Sequence, residues 1–489
     1  MNPHVIAYIS LIPLLLVAIS MMKGNSAKVC RMATCIGTWV QLGVVVALMW
    51  PLLTGQTHAV ALNFDFPGLG IKADGFAADR LSAYFTVLTT FVVACAVSHA
   101  DYFFATEEFL KINQDRNFRA FYAATNIFLL AMTAVFLSDN LGYLWIAVET
   151  TTLSSAYLVY FDKTKNALEA TWKYLMICTV AIAFALLGTV FIFASSQHGA
   201  LAEGSLNITE LIAHAPLLNF PLVKLGFMFC LIGYGTKAGM FPLHSWMPDA
   251  YSEAPAPASA MLSGGLMNCA LFALWRVMEI FHASNTHAVI GQTMTYAGAV
   301  TIVAASLLLI RQHSFKRMWA YSSIENCGLM MVAIGINAGG LFLLQAINHS
   351  IAKVALFLIS GDIIHASGSK KLSHLHGVLN SCPLWGVILA LGTFALTGCP
   401  PFGSFISEIS LLETMADSQR WILVSLLVAG IAISFVAICV HVGKILFGGP
   451  KAKFNPYQPI RASLIPAFLI GCSIAMGLFV DSNFWLGLK

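Results

Sequence analysis

Apolar residues run through this chain in blocks of about 20 positions, the length that crosses a hydrocarbon core about 30 Å thick as a helix. Polar residues gather in the short stretches between the blocks. The blocks lie near 5–22, 33–53, 81–98, 121–137, 140–160, 174–193, 222–246, 256–279, 289–310, 320–337, 340–366, 383–413, 421–440 and 463–480. The pattern predicts an all-α polytopic membrane protein with about fourteen transmembrane helices. A membrane barrel is excluded, because it would show short alternating segments. The blocks at 222–246 and 383–413 contain prolines, which remove a backbone donor and clash with the preceding turn. Both are predicted to be broken helices or a helix followed by a surface segment.

Composition agrees with this pattern. Of 489 residues, 58% are hydrophobic and only 10% are charged, with a mean hydropathy of +0.79. A soluble domain carries about 25% charged residues. The chain therefore reads as one membrane domain over 1–489. Helices precede a core at 1–74, the core spans 75–445, and a loop and last helix fill 446–489. Eighteen of the 26 Lys and Arg residues fall in loops on one side, among them Lys28, Arg116, Lys165, Arg317 and Lys371. Lys72, Arg80, Arg420 and Lys489 fall on the other. The positive-inside rule then places both termini outside the cytoplasm, in a multi-pass protein of the cell inner (cytoplasmic) membrane. The net charge of +4 follows from the same bias. The first block lacks a cleavage site and reads as a retained helix. Eleven cysteines show no zinc or iron–sulfur spacing and read as small apolar filler. No dinucleotide, phosphate-loop or haem motif occurs, so no cofactor and no metal are expected in this chain.

Four charged residues inside the apolar blocks stand out: Glu149, Lys237, Lys353 and Glu408. Ionisable groups inside a membrane are costly and mark ion pathways. Glu149 is nine residues past Asn140, about 13 Å along a helix, close to the bilayer midplane. Lys237 is comparably deep, so the two are expected to approach across neighbouring helices. A static pair that fixes packing is the alternative reading. His349 and Lys353 are four residues apart and share one helical face, where an imidazole can both donate and accept a proton. Glu408 follows the Gly398-Cys399-Pro400-Pro401 break and reads either as part of the same path or as a carboxylate at the membrane interface.

The stretch GYGTKAGMFPLHSWMPDAYSEAPAPASAMLSG resembles the signature of the antiporter-like subunits of respiratory complex I, membrane-bound hydrogenases, formate hydrogenlyase and Mrp-type antiporters. FKRMWAYSSIENCG, NHSIAKVALFLISGDII and GCPPFGSFISEISLL carry the same resemblance, which covers about residues 75–445 and is nearest the hydrogenase-4 component F type. The resemblance implies a fourteen-helix core built of two inverted five-helix repeats, each with one broken helix. It also implies a relay in which Glu149 pairs with Lys237, Lys353 and His349 follow, and Glu408 ends the path. The implied function is proton translocation coupled to electron transfer in partner subunits, with no redox centre in this chain. Implied partners are other integral subunits, including antiporter-like neighbours, lipids, and a peripheral arm with an iron–sulfur, hydrogenase or quinone module; nucleic acid is not among them. A sodium/proton antiporter subunit, a non-conducting anchor and a subunit for inorganic carbon uptake are the alternatives. Two departures stand out. Asn268 occupies the place where many relatives carry a central lysine, and no long lateral helix has room after the last block.

Overall fold

The computed structural model describes residues 5–22, 26–62, 64–66, 71–73, 75–104, 115–197, 201, 203–284, 287–448 and 460–479. In chain order the helices are α1 (Val5–Met21), α2 (Ala27–Leu53), α3 (Arg80–Phe103), α4 (Asp115–Leu137), α5 (Leu141–Val159), α6 (Lys165–Gln197), α7 (Ile208–Ala213), α8 (Phe220–Ala238) and α9 (Trp246–Glu253). They continue as α10 (Ala256–His282), α11 (His287–Ile310), α12 (Phe315–Gly335), α13 (Gly339–Ser367), α14 (Pro383–Leu396), α15 (Gly403–Asp417), α16 (Trp421–Phe447) and α17 (Ile460–Phe479). The chain is thus an all-α polytopic membrane protein.

Every block predicted from the hydrophobic pattern contains a helix. Nine helices among the described residues are both long and apolar enough to cross a membrane, short of the fourteen expected. The shortfall has a physical reason. α1 has only 17 residues. The predicted block at 383–413 is split into α14 and α15. The other three carry polar and charged groups that lower their apolarity: half-buried Glu149 among hydroxyls in α5, exposed Lys224 and buried Lys237 in α8, and buried Lys316 and Glu325 with half-buried Arg317 in α12. The hydrophobic pattern also missed two small antiparallel ladders, β1 (Ala59–Ala61) with β4 (Ala77–Asp79) and β2 (Phe64–Phe66) with β3 (Ile71–Ala73), between α2 and α3. Three-residue strands are too short to show alternation.

Side chains set the helix starts. Asp79 accepts the Ser82 amide at 2.7 Å to cap α3. Asn140 accepts from Gly142 and Tyr143 at the start of α5. Both satisfy amides that the first helical turn leaves free. The apolar faces then sort the helices. α10 is buried all round and α13 nearly so, whereas α2, α6, α16 and α17 turn much of their surface outward. The outward residues are apolar, for example Trp172, Met176 and Val180 on α6 and Ile422, Val436 and Val440 on α16. That arrangement suits lipid rather than water.

Small residues allow close helix approach. A Cβ on Gly188 of α6 would lie 2.7 Å from the Gly226 carbonyl oxygen of α8. Gly298 of α11 and Gly328 of α12 meet in the same way, each 2.7 Å from the other's carbonyl oxygen by that measure. α1 and α2 pack on α3 and α4, with Val5, Ile9, Val45, Met49 and Leu52 in a separate small core.

Both expected breaks are present, and they share a backbone design. α8 ends at Gly239, whose φ of 98° is left-handed, and the Met240 amide donates back to the Gly235 carbonyl at 2.8 Å. After α14, Gly398 has φ 65° and the Cys399 amide donates to the Phe394 carbonyl at 3.1 Å. Each is a five-residue return bond beside a left-handed glycine, which closes off a helix C-terminus. A proline follows three residues after each glycine, at Pro242 and Pro401, and the peptide bonds Phe241-Pro242 and Pro400-Pro401 are cis.

Candidate functional site

The first break positions Lys237. This residue lies in the last turn of α8, where freed carbonyls favour a cation, and its side chain is fully buried. Its ammonium donates to the Val148 carbonyl and to the Thr152 hydroxyl, both on α5. The same Thr152 hydroxyl donates to Glu149 Oε2 at 3.1 Å. Thr179 of α6 holds the other carboxylate oxygen at 3.2 Å. Glu149 and Lys237 therefore approach as expected, but through a hydroxyl rather than in direct contact. An ammonium, a hydroxyl and a carboxylate stand in line. Trp246 of α9 donates its indole N–H to the Thr236 carbonyl at 2.9 Å, which satisfies one of the acceptors left free at the end of α8.

Toward the centre, α10 passes through one π-helical turn at Leu262–Leu266. Such turns widen a helix locally and recur at functional sites. Ser263 in this turn lies 3.0 Å from the Ser323 hydroxyl of α12. Ser323 in turn donates to the Trp319 carbonyl at 3.2 Å, and Lys353 Nζ donates to that same carbonyl at 2.6 Å. The Lys353 ammonium also stands 5.6 Å from the centre of the Trp319 ring, within cation–π range. Asn268 donates to the Gly264 carbonyl at 2.9 Å and to the Ser350 hydroxyl at 2.8 Å. The residue at the expected lysine position is thus a neutral, hydrogen-bonded amide beside α13. His349 is buried one turn before Lys353, and neither ring nitrogen has a hydrogen-bond partner.

The second break positions Glu408. It is buried in α15, and its carboxylate packs on Gly398, where a Cβ would lie 2.2 Å from Oε2. Only a glycine leaves room there. A neutral polar ladder runs beside it. Asn326 donates to Glu325 Oε2 at 3.1 Å, Gln345 donates to Asn326 Oδ1 at 2.8 Å, and Ser407 donates to Gln345 Oε1 at 2.5 Å. Asn348 donates to Ser407 at 3.5 Å. Glu325 is buried, and it was not among the charged residues singled out from sequence. Its signal was visible: a carboxylate about ten residues into an apolar helix meets the same test that singled out Glu149. The neighbouring Lys316 and Arg317 made that segment look like a surface edge. Lys316 is in fact turned inward, donating to the Ser252 and Ala254 carbonyls and to Ser259 Oγ where α9 meets α10.

Lys237, Lys353, His349 and Glu408 are buried, and Glu149 is half-buried. Thr152 joins Glu149 to Lys237, and Asn326, Gln345 and Ser407 join Glu325 to the helix that carries Glu408.

Comparison with known proteins gives the chain a family. Residues 138–434 match the family described as NADH:quinone oxidoreductase/Mrp antiporter, TM. A protein named hydrogenase-4 component F homolog, from Methylacidiphilum infernorum, is 34% identical over 411 residues, covering 83% of this chain and 85% of that protein. The Na(+)/H(+) antiporter subunit A1 of Staphylococcus aureus is 28% identical over 467 residues, covering 89% of this chain. This chain spans 56% of the length of that subunit. Among solved structures, a chain of the archaeal membrane-bound sulfane sulfur reductase superposes with a TM-score of 0.84 at 23% identity, covering 99% of this chain and 96% of that one. A chain of the Mrp complex from Dietzia sp. DQ12-45-1b gives 0.86 at 18% identity, covering 100% and 96%. These structural likenesses concern the fold. By family match and sequence identity together, this chain belongs to the NADH:quinone oxidoreductase/Mrp antiporter transmembrane family.

Proposed function

We propose that this chain is a proton-translocating membrane subunit of a multisubunit redox-driven complex of the hydrogenase-4/formate hydrogenlyase or complex I type. The observation that carries this reading is the Lys237–Thr152–Glu149 line, continued by buried Lys353, His349, Glu325 and Glu408. Buried charges are expensive, and a static fold gains little from so many of them. Glu149 steadies the Lys237 ammonium through Thr152. A charge change in a neighbouring subunit weakens that hold, and the proton moves toward Lys353. His349 and the serine hydroxyls bridge part of the interval, and water bridges the rest. Glu408 delivers the proton to the far side. The electron transfer that drives the cycle belongs to a peripheral arm with an iron–sulfur, hydrogenase or quinone module.

The finer architecture belongs to the same proposal. The chain crosses the inner membrane fourteen times with both termini outside the cytoplasm. Helices at 1–74 precede a core at 75–445 made of two inverted five-helix repeats. The matching backbone design at Gly239 and Gly398 supports two related halves. Antiporter-like neighbours flank the chain. A second reading, sodium/proton exchange, draws support from the name of the Staphylococcus relative.

Lys353→Met tests the proposal, because it keeps length and apolar packing while deleting the titratable amine. In proteoliposomes holding the purified complex, the variant should assemble and lose coupled proton movement, read by a pH-sensitive dye beside an electron-transfer assay. Full proton movement in an intact K353M complex would reject the relay in favour of an anchoring role. Proton movement that appears only with sodium present would support the exchange reading.

A further inference from the structure

One buried titratable pair takes no part in the relay described above. His99 of α3 and Asp362 of α13 meet with Nε2 3.1 Å from Oδ1, their side chains 0% and 2% exposed. They are 263 residues apart in sequence. His99 Nδ1 and Asp362 Oδ2 have no hydrogen-bond partner. Each residue thus has one atom engaged with the other and one atom free, so the pair has two open ends. A brace between two helices needs only the engaged atoms, and leaving the other two buried and unpaired is costly.

The pair also has a position. Asp362 lies nine residues beyond Lys353 on α13, about 13 Å along the axis. It lies five residues before the helix ends at Ser367, and His99 lies four residues before the end of α3 at Phe103. Both are therefore about one turn inside the end of the bundle that leads to Lys370 and Lys371. Trp319 spans part of the interval inward, since its carbonyl holds Lys353 and its indole N–H donates to Ser360 Oγ at 2.8 Å. Among the described residues, the titratable groups that face Asp362 are His99 from α3 and His365 from its own helix, and the His365 ring packs on Phe103 at 6.2 Å. At Gly361 the neighbouring helix contributes Ala256, which does not titrate.

We propose that His99 and Asp362 form a proton port through which Lys353 exchanges protons with the aqueous phase at this end of the bundle. A proton reaching His99 Nδ1 forms an N–H bond and makes the imidazolium. The Nε2–H bond then breaks as an O–H bond forms on Asp362, leaving a neutral imidazole and a neutral carboxyl group. The carboxyl O–H breaks in turn. Its proton crosses the remaining interval through water to the Lys353 amine, which has already passed its own proton onward, and the carboxylate is restored. A shift of the imidazole proton from Nδ1 to Nε2 resets the pair. This inference rests on the relay reading, and the experiment separates the two.

Asp362→Asn keeps the shape of the side chain and an oxygen that accepts from His99, but it cannot take up a proton. His99→Gln keeps a donor near the Nε2 position and cannot relay. Both variants are compared with K353M in proteoliposomes containing the whole complex, with electron transfer, assembly and proton movement read together. The port predicts that D362N and H99Q assemble and that coupled proton movement falls at least about a hundredfold, the smaller end of what a positioned acid–base group supplies. Its residual pH profile should lose the dependence that the wild type shows on this side. Wild-type proton movement in both variants, with K353M inactive, overturns the port and leaves the relay standing. Wild-type movement in K353M as well overturns both. Failure of both D362N and H99Q to assemble also overturns the port, because a pair the fold cannot do without is a brace.

Discussion

Thr152 is the most informative single atom to remove, because its hydroxyl accepts from Lys237 and donates to Glu149 at the same time. Thr152→Val replaces that hydroxyl with a methyl group in a fully buried position. Lys237 keeps the Val148 carbonyl and Glu149 keeps Thr179, so each charge loses one of its two partners. A hydrogen bond to a charged group contributes about 1.5–3 kcal/mol. Every 1.36 kcal/mol is a factor of ten, so the hold of the α5 side on the Lys237 ammonium weakens about 10- to 150-fold. Thr152 is the hydroxyl that bridges Glu149 and Lys237, so coupled proton movement should fall by at least about tenfold. Thr152→Ser returns the hydroxyl without the methyl and should restore it. The assay is dye-reported proton uptake per electron transferred in proteoliposomes, with assembly checked on a native gel. Wild-type coupling in an assembled T152V complex would refute the argument. So would a T152S variant as impaired as T152V, because that result would mean that packing matters and the hydroxyl does not.

Two further expectations concern the fold. Gly298→Leu should lower the thermal unfolding midpoint of the detergent-solubilised protein, because its Cβ would meet the Gly328 carbonyl oxygen at 2.7 Å and overpacking costs about 1–3 kcal/mol. Gly43→Leu, whose Cβ has no neighbour within 4 Å, should leave the midpoint unchanged, and equal midpoints for the two variants would contradict the close helix contact. Reporter fusions at Lys165 and Lys371 should read cytoplasmic and one at Asn207 external; an external signal at Lys165 would overturn the proposed orientation.

The sequence by itself determined what depends on distance along the chain. Runs of apolar residues set the helices, because a helix rises a fixed 1.5 Å per residue and the membrane has a fixed thickness. The glycines and prolines at 239–242 and 398–401 set the breaks, because they act on their own backbone. Depth was legible in the same way, which is why Glu149 and Lys237 stood out together. Which side chains meet depends on how helices distant in sequence pack, and no local pattern encodes that. Thr152 looked like one hydroxyl among several in TTLSS, until a helix 85 residues away placed an ammonium on it. Glu325 was hidden by the basic residues just before it, and only packing showed that Lys316 turns inward and that a ladder through Asn326, Gln345 and Ser407 joins three helices. His99 and Asp362 carried no sign of each other, because a contact between α3 and α13 exists only once the helices between them have folded into the bundle.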